Sequence, residues 1–202
     1  MSVITYLDFI GVFVFAMSGI LAASEKKIDL FGGIIIAFVT ALGGGTLRDL
    51  LLNIEISWIE KPTYIYIVLA GALFAIVFKK ISKHIRKTVF LFDSIGISVF
   101  TIIGVQKTMA LEMPILIVII FGVITATFGG VIRDILCNEI PLIFRKEIYA
   151  TACIIGAVIY VILARFDCPE LLNVVIASLT IVTIRTVAVL RHWSLPVINE
   201  RI

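Results

Sequence analysis

Histidine, cysteine and charge are all scarce in this 202-residue chain. The two histidines, His84 and His192, stand far apart among basic or apolar neighbours, which leaves no spacing for a metal site. Cys137, Cys153 and Cys168 share no C-x-x-C spacing, and an odd number offers no disulfide framework. They read as small apolar fillers. Charged residues make up 15% of the chain, against roughly a quarter in soluble domains. The net charge of +3 comes without the clustered basic stripe of a nucleic-acid footprint, so no nucleic-acid partner is expected. No Ser/His/Asp set and no nucleotide loop is present. The glycine runs precede an Arg-Asp pair inside an apolar segment instead of following a strand. These absences exclude an enzyme and give no catalytic residue, metal or cofactor.

What the chain has is apolar length. Residues of the set AVILMFWYC make up 61%, with mean hydropathy +1.17. A membrane-spanning helix needs about 20 mostly apolar residues. Runs bounded by charge, proline or polar clusters predict seven spans: Tyr6–Ala23, Leu30–Leu52, Tyr64–Phe78, Phe90–Val105, Ile115–Cys137, Ile148–Ala164 and Leu171–Leu190. The third and fourth are short and should extend into their flanks. The first follows an acidic start and has no clean small-residue cleavage site, so it is expected to stay as a span. The fold class is therefore an all-α integral membrane protein, with no room for a soluble domain.

Basic residues in short loops orient such a chain. Lys26, Lys27, Lys79, Lys80, Lys83, Arg86, Lys87, Arg145, Lys146, Arg191 and Arg201 fall on one side, against Lys61, Lys107 and Arg165 on the other. The N-terminus is expected outside and the C-terminus in the cytoplasm of a prokaryotic plasma (inner) membrane. The basic group Lys79–Lys87 is the topology signal itself, or a contact for anionic lipid headgroups.

Sliding the chain on itself by 85 residues aligns its most unusual positions without a gap. Asp8 falls on Asp93, Gly11 on Gly96, Phe15 on Phe100 and Gly19 on Gly104; Thr40-Ala41 falls on Thr125-Ala126 and Gly44-Gly45 on Gly129-Gly130. Arg48-Asp49 falls on Arg133-Asp134, Asn53 on Asn138, Tyr64 on Tyr149 and Gly71-Ala72 on Gly156-Ala157. In all, 20 of 85 aligned pairs are identical. Each copy carries three spans, an odd number, so the second must enter the membrane from the opposite side. The expectation is two inverted three-helix repeats, 1–85 and 86–170, followed by an extra helix and tail, 171–202. Inverted repeats with broken helices are a transport architecture, with the path at the repeat interface.

Gly43-Gly44-Gly45 in the second span and Gly129-Gly130 in the fifth are weak points in a helix. They suit a kinked, path-lining segment, or close packing between helices. Arg48, Asp49, Arg133 and Asp134 lie within one turn of them, at a depth where ionisable groups mark a path or a partner. Side chains at i and i+1 diverge by about 100°, so Arg48 is assigned to Asp8 and, by symmetry, Arg133 to Asp93. These pairs either hold the fold or tether the path. Thr40, Thr46, Thr125 and Thr127 flank the glycines and offer hydroxyl oxygens to a cation. Phe128, in place of the first glycine, is an apolar plug or a packed core residue. Arg185 has no counterpart in the repeat and reads as bundle-facing or snorkelling, with a gating charge as the alternative.

With its three-plus-three-plus-one spans and the motifs GGGTLRDLL (43–51) and FGGVIRDIL (128–136), the whole chain resembles the prokaryotic branch of the trimeric intracellular cation channels, also described as a glycine-transporter family. The resemblance implies a homotrimer with one pore per subunit, passing potassium or, as a second candidate, sodium. It implies that spans two and five line that pore, pointing to Gly43, Gly44, Gly45, Arg48 and Asp49, and to Gly129, Gly130, Arg133 and Asp134. Animal members carry a Lys-Glu-Val motif on the fourth span. Here that span ends Gly104-Val105-Gln106-Lys107, so lipid-dependent gating is not carried over. The alternative is a secondary transporter for a small zwitterion such as glycine.

Overall fold

The computed structural model describes residues 3–79 and 85–196. Its seven long helices are α1 (Val3–Ala23), α2 (Leu30–Leu51), α4 (Thr63–Lys79), α5 (Ile85–Met109), α6 (Ile115–Leu136), α7 (Ala150–Arg165) and α8 (Glu170–Leu190). A single helical turn, α3 (Ser57–Glu60), lies between α2 and α4, and a short 3-10 turn at Leu142–Phe144 takes the equivalent place before α7. The fourth expected span lengthens most, by five residues at its start and four at its end. Lys80, Lys83, His84 and Arg201, named above for charge or metal binding, lie outside the described residues, and nothing is described of the Arg86 side chain.

The two copies stop their second helix in the same way. α2 and α6 end 85 residues apart, and each is followed by an asparagine in the left-handed region, Asn53 and Asn138, both with φ 54°. Asparagine tolerates that conformation and so closes a helix where a β-branched residue would not. Their starts differ. Asp29 caps α2 by accepting from the Gly32 backbone N–H at 2.7 Å, whereas Pro114 opens α6.

Packing shows the inversion directly. A methyl group added at Gly44 would run into the Thr125 carbonyl, and one at Gly129 into the Thr40 carbonyl. Residue 44 thus opposes 125 while 129 opposes 40, so α2 and α6 cross antiparallel. Gly96 is filled by the ring of Phe15 and Gly11 lies against the ring of Phe100, so α1 and α5 are antiparallel as well. The Phe15 and Phe100 rings meet at 5.1 Å between centroids, next to the pseudo-two-fold axis. The protein is two inverted three-helix repeats plus one helix. That extra helix, α8, packs on α5 and α7 of the second repeat, where Gly156 receives Ile181; the equivalent Gly71 instead lies against Phe13 of α1.

Outside this core the surface is apolar. Leu30, Phe31, Leu50, Leu73, Leu116, Ile135, Phe144 and Leu190 are all exposed, as lipid-facing residues are. Five of the long helices have the length and composition to cross a membrane by themselves. α4 and α7, at 17 and 16 residues, span about 25 Å, short of a hydrocarbon core of about 30 Å. Lys79 and Arg165 in their last turns supply stems long enough to reach the interface.

Candidate functional site

The glycine runs do not break their helices. α2 and α6 are helical throughout, and Gly44 and Gly129 instead let the two backbones touch. Antiparallel packing at that place, with carbonyls against Cα atoms, keeps both helices hydrogen-bonded through the expected weak point. Gly45 and Gly130 face the charges that follow: the nearest atom to a methyl at Gly45 would be the Arg48 guanidinium, at 3.6 Å.

Four residues beyond the crossing, each helix carries its buried Arg-Asp pair. Arg48 Nε donates to Asp49 Oδ1 at 2.8 Å, and Arg133 Nε to Asp134 Oδ1 at 2.8 Å. This corrects the expectation that neighbours on a helix do not pair. The Cβ vectors diverge, but the arginine stem is long enough to curl its guanidinium back onto the next carboxylate. The other carboxylate oxygen caps the following turn: Asp49 Oδ2 accepts from Ser57 N and Oγ, and Asp134 Oδ2 from Leu142 N.

The remaining acid of each copy is held differently. Asp8 makes no ion pair with Arg48 among the described residues; its Oδ2 accepts from the Tyr64 hydroxyl at 2.6 Å. Asp93 does pair with Arg133, whose Nη1 donates to Asp93 Oδ1 at 2.8 Å and to Ser18 Oγ at 2.7 Å. Asp93 Oδ2 then accepts from Arg185 Nη1 at 3.1 Å. Arg185 is fully buried, with its guanidinium over the rings of Tyr149 (4.5 Å) and Phe90 (5.0 Å), so it is bundle-facing and does not snorkel. On the other side Lys107 reaches from the second repeat into the first copy's cluster, 2.7 Å from Ser57 Oγ and 3.8 Å from Asp49 Oδ1. Each cluster therefore balances two acids with two bases: Asp8, Asp49, Arg48 and Lys107, and Asp93, Asp134, Arg133 and Arg185.

Beside each cluster lies a cavity, and the two differ in size. The first, of about 20 Å³, is lined by Asp8, Gly45, Thr46, Arg48, Asp49 and Phe100 among others. That is room for one water. The second, of about 320 Å³, is lined by Arg133, Asp134, Cys137 and the loop residues Glu25, Lys26, Glu139, Arg145 and Glu147. Its rim is bridged by Lys26 Nζ to Glu139 Oε1 at 2.6 Å and Arg145 Nη2 to Glu139 Oε2 at 3.1 Å. The Lys26 ammonium holds the Glu139 carboxyl below the ordinary glutamate range.

The threonines spend their protons on their own helices. Thr40, Thr46, Thr125 and Thr127 each donate to the carbonyl four residues back, at 2.6–2.8 Å, so their oxygens stay free to accept. Thr46 accepts from Trp58 Nε1 at 2.9 Å and lines the small cavity. Phe128 is 37% exposed in the subunit, so of its two readings the packed core residue is excluded. The aromatic pair inside is Phe15 and Phe100. Tyr64, Ser57, Ser18 and Tyr149 were given no role from the sequence, although the Tyr64/Tyr149 identity at the repeat offset was a usable signal.

The family model described as glycine transporter matches residues 5–80 and 90–165. Over 198 residues the chain is 37% identical to the inner membrane protein YadS of Escherichia coli (strain K12), covering 95% of this chain and 94% of that one. Of the solved structures, the trimeric intracellular cation (TRIC) channel orthologue from Rhodobacter sphaeroides superposes with a TM-score of 0.90 at 34% identity, over 95% of this chain and 100% of that one. A prokaryotic TRIC channel in 0.5 M KCl gives 0.88 at 28% identity, over 96% and 98%. These similar proteins are membrane proteins of channel and transporter type, not enzymes.

Proposed function

Because this chain belongs to the TRIC channel family and matches the glycine-transporter family model over both halves, we infer that it is a monovalent cation channel, a homotrimer with one path in each subunit. The carrying observation is the pair of charge clusters, each beside a cavity, on opposite sides of the α2/α6 crossing. Antiparallel helices that cross at Gly44 and Gly129 put Arg48-Asp49 and Arg133-Asp134 at opposite ends of one line through the subunit. The basic loops assign the larger cavity to the cytoplasmic end and the smaller to the outside. The functional units are then the repeats 1–85 and 86–170, with 171–202 added.

A cation entering from the cytoplasm meets four acids, Glu25, Glu139, Glu147 and Asp134, against three bases, Lys26, Arg133 and Arg145, a lining with one acid in excess that favours its sign. The arginines do not repel it, because each guanidinium is bound to a carboxylate within 3 Å. The apolar constriction is the Phe15–Phe100 pair with the glycine crossing beside it. Threonine oxygens at 40, 46, 125 and 127 are the acceptors next to it. Potassium is the expected ion, with sodium second.

Purified protein in a planar bilayer under a potassium chloride gradient tests the reading. Discrete current steps reversing near the potassium potential support it. A silent bilayer, together with saturable glycine uptake into liposomes, transfers the same cavities to the transporter reading that the family model's description favours.

A further inference from the structure

The repeat makes a specific demand that the second half does not meet. In the first copy the Tyr64 hydroxyl donates to Asp8 and so ties α4 to α1. The residues 85 positions on are Tyr149 and Asp93, and the same bond is expected between them. Instead Tyr149 is buried with its hydroxyl unpartnered, and the Asp93 oxygen it would reach accepts from Arg185. The Arg185 guanidinium sits over the Tyr149 ring, 4.5 Å from its centroid, a cation–π contact that holds the ring in place. Its own Nε and Nη2 are buried without partners, so the contact with Asp93 is one hydrogen bond and not a full bidentate clamp. Gly130 leaves the space between the two groups clear: a methyl there would stand 3.0 Å from the Tyr149 hydroxyl and 3.7 Å from Asp93 Oδ1.

The cavities differ in step. Where the tyrosine–aspartate bond is made, Tyr64 and Asp8 themselves line the cavity, of about 20 Å³. At the other end Tyr149, Asp93 and Arg185 do not line the cavity of about 320 Å³ but reach it through two residues that do, Arg133, which Asp93 holds, and Phe90, which the Arg185 guanidinium covers. We propose that Arg185 is a positioning residue that keeps the cytoplasmic vestibule open by holding Asp93 away from Tyr149, and that the closed vestibule is the state in which Tyr149 donates to Asp93 as Tyr64 does to Asp8. The seventh helix, which has no partner in the repeat, is then the part that makes the two ends of the path unequal. This rests on the reading of both cavities as one path.

The test reads the vestibule without asking for current. Native Cys137 lines it, so its modification rate by a positively charged methanethiosulfonate, followed by mass spectrometry on protein in liposomes, reports its width. Arg185→Met frees Asp93 for Tyr149. The rate at Cys137 should fall about tenfold, the population shift that one hydrogen bond to a charged group supplies. The double variant Arg185→Met/Tyr149→Phe lacks the hydroxyl and should restore the rate to within about twofold of the parent, inside the usual error of additivity. Equal rates in parent and Arg185→Met overturn the proposal, and so does a double variant as slow as the single one. Should Arg185→Met fail to assemble, Tyr64→Phe carries the test outside: loss of its bond to Asp8 should widen the outer cavity and raise unitary conductance, and unchanged conductance overturns the proposal. A protein silent in bilayers that still shows the slowing and the rescue sinks the channel reading and leaves this one standing.

Discussion

Asp8 and Asp93 occupy one place in the two repeats, yet they should respond differently to loss of charge. Asp8→Asn keeps an oxygen for the Tyr64 hydroxyl and should cost about 1 kcal/mol, the net worth of one altered hydrogen bond. Asp93→Asn leaves Arg133 and Arg185 buried with only Asp134 between them, and should cost about 3–5 kcal/mol, as breaking a buried ion pair does. Melting of the detergent-solubilised protein ranks the two, and equal losses would refute the assignment. At the vestibule rim, Lys26 lowers the Glu139 pKa, so the pair contributes above the ordinary glutamate value of about 4.3 and is lost as pH falls through the lowered one. Current carried from the cytoplasmic side should therefore be flat between about pH 5 and 8, and Glu139→Gln should remove any change seen below that range. At this scale the sequence was half legible. Arg133–Asp93 followed from symmetry, whereas Arg48–Asp49 was missed because a rule about Cβ directions does not bind a side chain as long as arginine. Arg185 was unreadable for a different reason: with no counterpart in the repeat, nothing paired it with Asp93.

At the scale of the element, neighbouring glycines of α2 have separate duties. Gly44→Ala drives a methyl into the Thr125 carbonyl and should destabilise by at least about 3 kcal/mol, the upper part of the range for overpacking, because backbone cannot step aside. Gly129→Ala should match it, against the Thr40 carbonyl. Gly45→Ala meets nothing closer than 3.6 Å and should be neutral or stabilising by up to about 1 kcal/mol through helix propensity. A melting series over these three variants separates close packing from a flexible break, which would favour glycine at all three. The helices themselves were plain from the runs of apolar residues. That the glycines are contacts was one of the two readings the sequence offered, but nothing local favoured it, because propensity counts what a residue costs alone and the crossing depends on α6, about 85 residues later.

For the whole molecule, orientation is the open prediction. An impermeant maleimide added to intact cells should label Cys168, in the loop between α7 and α8, while Cys137 should react only when the cytoplasmic face is exposed. Labelling in the reverse pattern would invert the proposed path. The inverted architecture was legible here more fully than anything else, since an odd number of spans per copy leaves no other way to insert the second. The unequal cavities were not, because the larger is lined by residues of two loops, Glu25 and Lys26 after α1 and Glu139, Arg145 and Glu147 after α6, whose meeting the apolar spans do not give. The local pairing of Arg48 with Asp49 also bears on how such a chain is made. α2 reaches the bilayer before α6 exists, and a lone arginine or aspartate, which costs about 2.5–3.5 kcal/mol at a helix centre, still carries part of that cost in the last turn where Arg48 and Asp49 lie. Paired within one turn of the same helix, they enter as a neutral unit that needs no later partner. Biogenesis can thus proceed helix by helix, with the glycine face left bare until the second half arrives to cover it.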